Sequence, residues 1–141
     1  MEIRSFQKGD TSQIISLWER CNLTVSWNDP EKDIQRKLTT QSELLLVGVQ
    51  EERIVATVMA GYDGHRGWLY YLAVDPDYQK QGYGSRIVAE AERRLRAMGC
   101  PKINLMVRNS NQKVREFYQS LGYQVDEVVS LGKRLVDDTQ K

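Results

Sequence analysis

The apolar residues of this chain change period several times, and each change marks an element. Ile14, Leu17, Trp18 and Cys21 keep the three-to-four spacing of one helix face, and Asp10 ahead of them is a favoured N-cap type. Asp29-Pro30 repeats the signal, with a cap residue and then proline at the first helical position. It predicts a helix to about Thr40 with Ile34 and Leu38 facing inward. The stretch between them, Asn22–Asn28, is a loop that carries Trp27 in polar surroundings. Runs at Glu2–Phe6, Leu44–Val49, Arg53–Tyr62 and Trp68–Val74 are rich in Val, Ile, Leu and Tyr and read as strands. Gln50-Glu51-Glu52 makes the hairpin between the second and third, and Asp63–Gly67 turns the chain into the fourth. Pro76 has no N–H to donate and ends that ladder. Ile87, Val88, Ala91, Leu95 and Met98 then define a long amphipathic helix, closed by Gly99 and Pro101. Lys102–Arg108 predicts another strand, and Asn111–Leu121 a helix capped by Asn111 and stopped by Gly122. Tyr123–Val129 and Leu131–Val136 predict two closing strands before a polar tail, Asp137–Lys141.

Strands and helices interleaved in this order predict an α/β layered arrangement on a mixed sheet. The step from Trp68–Val74 through the long helix to Lys102–Arg108 is a right-handed crossover between parallel strands. Ligands of such sheets bind past the carboxyl ends of the strands. At that place stands Gln79-Lys80-Gln81-Gly82-Tyr83-Gly84, between strand and helix. Two glycines there leave the first N–H groups of the helix uncovered, a setting that favours an anion such as phosphate. No Lys-Ser or Lys-Thr follows, which excludes a P-loop. Ile87 stands where a dinucleotide fingerprint needs its third glycine.

Composition narrows the setting. A chain of 141 residues makes one domain, 1–141, able to bury about two-thirds of its unfolded surface. Its net charge of +1, with both signs interspersed, lacks the basic face of a nucleic-acid binder. No signal-peptide core or membrane-length apolar run is seen, so a soluble cytoplasmic protein is expected, with no nucleic-acid or membrane partner. Cys21 and Cys100 have no metal-ligand spacing and read as reduced, small buried hydrophobes; no metal is expected.

The pattern Gln-x-x-Gly-x-Gly after a strand ending Ala-Val-Asp-Pro resembles the acetyl-CoA loop of the GCN5-related N-acetyltransferase (GNAT) family, with Gln79, Gly82 and Gly84 in the motif positions. A second stretch agrees: Asn111, then Tyr118 seven residues on, then Gly122-Tyr123, is similar to the family's later signature. Taken alone, Asn111 reads as a helix cap and Tyr118 as part of an apolar stripe with Val114, Phe117 and Leu121. The element order extends the resemblance over nearly the whole chain. It implies a GNAT fold, a mixed and mostly antiparallel sheet with a central parallel pair and helices on both faces.

The resemblance also implies a reaction, acetyl transfer from acetyl-CoA to a primary amine of a small molecule or protein. Tyr118 takes the family's general-acid position: a phenol near pKa 10 is close enough in acidity to protonate a thiolate whose thiol lies near 8.5. The pantetheine arm would pair along Leu72-Ala73-Val74, whose backbone would also supply an oxyanion donor. The pyrophosphate would lie on the N–H groups from Gln81 to Ser85, with Gln79, Lys80, Gly82, Tyr83, Gly84 and Asn111 completing the cofactor set. Acceptor contacts would come from Trp27 and Tyr70. By strand alternation Tyr70 shares a face with Trp68 and Leu72, and Tyr71 one with Leu69 and Ala73. The sequence departs from relatives that acetylate protein N-termini, which carry Glu where this chain has Met106. Asp63, His65, Glu116 and Glu127 are the other bases to consider. The alternative is a CoA-binding or regulatory module without turnover, and a homodimer is left open.

Overall fold

In a computed structural model, which describes residues 1–139, the sheet runs in the order β1-β2-β3-β4-β5. The strands are β1 (Glu2–Ser5), β2 (Leu45–Gln50), β3 (Arg53–Tyr62), β4 (Gly67–Val74) and β5 (Ile103–Asn104). The helices are α1 (Thr11–Arg20), α2 (Pro30–Leu38), α3 (Tyr83–Ala97) and α4 (Gln112–Ser120). Neighbouring strands are antiparallel except β4 and β5, which are parallel. Glu51 and Glu52 take the left-handed conformation that a two-residue hairpin loop requires between β2 and β3.

Two apolar layers sandwich the sheet. Ile87, Val88, Ala91 and Leu95 of α3 and Tyr118 of α4 pack with Leu46, Ala56, Val58, Ala60 and Leu69. On the other side Ile14, Leu17 and Trp18 of α1 and Ile34 of α2 cover Leu45, Val47, Met59 and Ala73. Each fully buried aliphatic side chain contributes about 1.5–3 kcal/mol to this burial. Leu38 and Met98, expected inward, sit at helix ends and are exposed, because α2 and α3 finish before a further turn closes over the sheet. Cys21 and Cys100 are free and only half-buried.

Helix α2 begins as the sequence predicts, with the Asp29 carboxylate accepting from the backbone N–H groups of Glu31 and Lys32. Helix α1 does not. Asp10 makes no side-chain cap, since its carboxylate is bonded by Arg4 and by the Gln7 N–H. A guanidinium at 2.8 Å gives that carboxylate a stronger partner than a helix N–H, and capping loses.

Beyond β4 the structure departs from the sequence pattern. Lys102–Arg108 pairs only at Ile103 and Asn104, opposite Gly67 and Trp68. The predicted strands Tyr123–Val129 and Leu131–Val136 are absent, and most of that segment is exposed, with Val128, Val129, Leu131 and Leu135 each more than three-quarters accessible. Adjacent apolar pairs at Val128-Val129 and Leu135-Val136 point to both faces, which helps a strand only when both faces are covered. The two-residue β5 offers too short an edge to recruit it. Side-chain bonds hold the segment instead: Asp126 accepts from Lys102 and Asn104, Arg134 donates to Asn28, and Arg36 grips Asp138. Of the polar tail, Gln140 and Lys141 lie outside the described residues.

Candidate active site

The site grows from an irregularity in β4. Its register with β3 shifts between Thr57 and Met59, and Tyr71 takes a left-handed φ of 53°. Such a bulge bends its strand and sharpens the local twist. Three contacts hold Tyr71 in this costly conformation. Its carbonyl accepts from the Thr57 hydroxyl at 2.9 Å, and its ring stacks on Trp18 with centroids 3.7 Å apart. Its own hydroxyl donates to Asp33 of α2 at 2.6 Å. Thr57 is fully buried and also accepts from the Trp18 indole N–H at 2.9 Å, so one hydroxyl serves both partners.

The bulge resets the alternation of β4. Leu69, Leu72 and Val74 belong to the α3 side, whereas Tyr71 and Ala73 belong to the α1 side. Tyr70 stands opposite Met59, also of the α1 side. Tyr70 and Tyr71 therefore share a face, and Leu72 leaves it, against the simple alternation read from sequence. Past Trp68 and Asn104 the parallel strands separate, so Leu69–Val74 runs on with no β5 ladder beside it.

The strand ends at Asp75, which is almost fully buried. Its carboxylate accepts from Arg20 at 2.8 Å and from the Asp77 N–H, and these contacts outweigh desolvation and hold it below the usual carboxylate range. Gln79 turns back, its amide donating to the Val74 carbonyl at 3.1 Å, while Lys80 and Gln81 are exposed. Gly82 takes φ +81°, and no atom lies within 4 Å of where its Cβ would be, so the corner at the start of α3 is open. Gly84 is close-packed: a Cβ there would meet Phe117 of α4 at 3.2 Å and Val74 at 3.6 Å. The glycine corner, the end of β4 and α4 thus converge on Gly84. Tyr83 stacks loosely on Tyr78 and lies under the Arg86 guanidinium, which is itself bonded to the Met1 carbonyl at 2.7 Å. Ser85 is half-buried in the first turn of α3.

Tyr118 is 6% exposed, and burial pushes its phenol up to about 12. Its ring packs edge-on against Phe117 and Tyr123. Its hydroxyl makes no hydrogen bond among the described residues, yet the fully buried polar atom without a partner is Asn104 Oδ1 and not this one. The hydroxyl is therefore not completely inaccessible, and Tyr118 lines a cleft of about 1110 Å³ bordered also by Trp68, Asn104, Met106 and Glu92. Tyr123 donates to Glu92 at 2.8 Å and closes the wall beside it.

The chain as a whole has clear parallels. The Acetyltransferase (GNAT) family profile matches residues 12–123. The chain belongs to that family. A protein named acetyltransferase from Yersinia pestis is 49% identical over 140 residues, 99% of each chain. A putative acetyltransferase from Agrobacterium tumefaciens has the same fold with TM-score 0.79 and 16% identity over 95% of this chain and 100% of that one. So does AAC(6')-Iy in complex with the bisubstrate analogue CoA-S-monomethyl-acetylneamine, with TM-score 0.76 and 18% identity over 94% and 97%. The mixed five-strand sheet with helices on both faces is thus the fold of a GNAT acetyltransferase, and this chain is an enzyme of that class.

Within this GNAT chain the residues singled out from sequence divide. Val74, Gly84 and, through Phe117, α4 are brought together, whereas Gly82 stands open and Ala73 belongs to the α1 side. Asn111 is exposed, and its carboxamide accepts from the Val114 N–H at 3.3 Å, the capping role alone. Trp27 and Tyr70 are each nearly half exposed but are not in ring contact: Trp27 lies under Arg108 at 5.6 Å, and Tyr70 stacks against Trp68. Among the bases considered, Asp63 is the poorest, because the backbone N–H groups of Arg66 and His65 hold its carboxyl below the usual range. His65, Glu116 and Glu127 are exposed, and among the described residues Glu116 accepts only from Gln112. Met106 is 60% exposed. Sequence reading missed Thr57, Tyr71 and Asp33. The available signal was a lone threonine in the apolar run Ile54–Ala60. Among the described residues no cluster of His, Cys, Asp and Glu is arranged for a metal, and no helix is long and apolar enough to cross a membrane.

Proposed function

We propose that the chain transfers the acetyl group of acetyl-CoA to a primary amine of a small molecule or protein by direct attack, with Tyr118 as general acid. The observation that carries this is the Tyr118 phenol: mostly buried, hydrogen-bonded to none of the described residues, and in the wall of the cleft that Trp68 and Asn104 border where the parallel strands end their pairing. Use of CoA is supported by the open Gly82 corner and by the fold shared with a structure solved around a CoA bisubstrate analogue. The pyrophosphate takes the N–H groups from Gln81 to Ser85 at the positive end of α3, and the pantetheine arm takes the unladdered edge of β4. A backbone N–H of Leu72–Val74 faces the developing oxyanion, where a preorganised donor is worth several kcal/mol.

At about 12 the Tyr118 phenol is a weaker acid than in water, some three units above an alkyl thiol. The proton moves as the C–S bond breaks, so the phenol meets the sulfur while its charge develops and not a fully formed thiolate. Burial also keeps the phenol fully protonated at neutral pH. The acceptor loses its proton to water, since Met106 supplies no base. The test is a thiol-release screen with acetyl-CoA across amines, polyamines, amino acids and N-terminal peptides, run on wild type and Tyr118→Phe. Phe at this position is expected to lower kcat about 10²-fold while calorimetry shows near-normal acetyl-CoA affinity. Unchanged kcat removes Tyr118 from the mechanism. Binding of acetyl-CoA without release on any amine favours the non-catalytic module instead.

A further inference from the structure

The C-terminal segment and α2 border an open surface pocket of about 610 Å³, lined by the exposed residues Arg36, Lys133, Arg134, Gly132, Leu135 and Val136. Three of these six carry positive charge and none is acidic. Arg36 is neutralised, held by both oxygens of the buried Asp138 at 3.0 and 2.6 Å and by Asp33 at 3.5 Å. Lys133 has no ion pair or hydrogen bond among the described residues, and Arg134 has one neutral partner, the Asn28 carboxamide at 2.7 Å. Of the other carboxylates nearby, Asp137 accepts from Thr139 and Asp29 caps α2; neither forms an ion pair with Lys133 or Arg134, although the Asp137 carboxylate keeps its charge and feels Arg134. Arg108, over the Trp27 ring at 5.6 Å, adds an unneutralised guanidinium to the same loop.

The pocket is tied to the reaction centre and to the acceptor loop. Arg36 reaches Asp33, which accepts from Tyr71 at the β4 bulge, and Arg134 reaches Asn28 beside Trp27. We infer that this pocket holds a carboxylate or comparable anionic group on the acceptor, gripped by Lys133 and Arg134, so that the acceptors are amines that also carry negative charge. This rests on the acetyl-transfer reading above and names its substrate class. Unpaired cations so placed would repel an ammonium, so the patch faces the part of the acceptor that does not react. Their field also disfavours the protonated amine, which helps an enzyme with no base at Met106.

The test uses alanyl-glutamate and its neutral diamide as matched acceptors, with wild type, Lys133→Gln and the Lys133→Gln/Arg134→Gln double variant. Wild type is expected to favour the acidic dipeptide at least about tenfold in kcat/KM, as one charge-assisted contact provides. The preference should fall severalfold in Lys133→Gln, which breaks no contact in the fold, and reach about unity in the double variant. Equal kcat/KM for the two acceptors in wild type, or a preference undiminished in the double variant, overturns the inference. Calorimetric titration of the CoA-bound protein with the same dipeptides reads the anion site without turnover. Selective binding of the acidic dipeptide with no acetylation upholds the pocket and sinks the reaction. Acetylation of neutral amines with no binding preference does the reverse.

Discussion

Thr57→Val isolates what the central bulge costs and what holds it. Valine has nearly the volume of threonine, so the packing of a fully buried position is kept and only the hydroxyl is lost. Two partners are then stranded: the Trp18 indole N–H and the Tyr71 carbonyl, each 2.9 Å from the hydroxyl in the native protein. Leaving a buried donor or acceptor unpaired costs about 1–3 kcal/mol. Trp18 is wholly inaccessible, so its N–H takes the full penalty, whereas the carbonyl has a second lone pair for other partners. The expected loss is therefore about 2–4 kcal/mol, a large part of the roughly 5–15 kcal/mol that holds a domain of this kind together. Urea unfolding followed by tryptophan fluorescence measures it, with an unchanged slope showing that the unfolded state is not the cause. Thr57→Ser is the control, since it keeps the hydroxyl and removes one methyl, for about 1 kcal/mol. A Val variant within 0.5 kcal/mol of wild type (roughly the scatter of inert surface changes), or a Ser variant as damaged as Val, would refute the argument that this hydroxyl pins the bulge.

Two further outcomes follow from the geometry. Gly82→Val puts a β-branched residue at φ +81°, where an L residue pays roughly 1–2 kcal/mol, and fills the open corner through which a phosphate would reach the backbone. Calorimetry should find acetyl-CoA affinity lost in a protein that still folds; unaltered affinity would show that the corner is not the cofactor site. Glu90, paired with Arg93 and Arg94, has its carboxyl held down to about 2. The folded value lies below the unfolded one, so its contribution is present above about pH 4.5 and is lost as pH falls toward 2. Screening of these surface guanidiniums limits that contribution to about 1 kcal/mol. Glu90→Gln should thus be less stable by that amount at pH 7 and indistinguishable from wild type near pH 2; a constant difference across the range would mean that charge is not involved.

What could be read in advance was whatever short-range chemistry decides. The α2 start at Asp29-Pro30, a hairpin within Gln50-Glu51-Glu52, the end of β4 before Pro76 and the apolar stripe of α3 could all be read from the local sequence, although the left-handed Glu51-Glu52 pair itself could not. The approach of Gly84 to Phe117, on the helix bearing Tyr118, agrees with the order of strand, glycine corner, helix, strand and helix. Three further things were not legible. Asp10 is as good a cap as Asp29, and only the fold brings Arg4 within 2.8 Å to claim it. The bulge at Tyr71 depends on Thr57, fourteen residues away, and a one-residue slip turns every later side chain of a strand to the other face. The segment Tyr123–Val136 has the composition of strands, but strand formation needs an edge, and β5 offers two residues.

Tyr71 shows why the second of these is invisible in the sequence. A residue with φ 53° persists only where its surroundings overdetermine it, and here they come from both sides of the reaction. Thr57 holds its carbonyl from the core of the sheet, while Asp33 holds its hydroxyl from α2. Burial and the neighbouring Asp33 both raise the Tyr71 phenol, so it remains a donor at working pH and the link to α2 is kept. Asp33 in turn meets Arg36 in the wall of the cationic pocket. The strand edge proposed for the thioester and the pocket proposed for the acceptor's charge are thus joined through one side chain and two polar contacts.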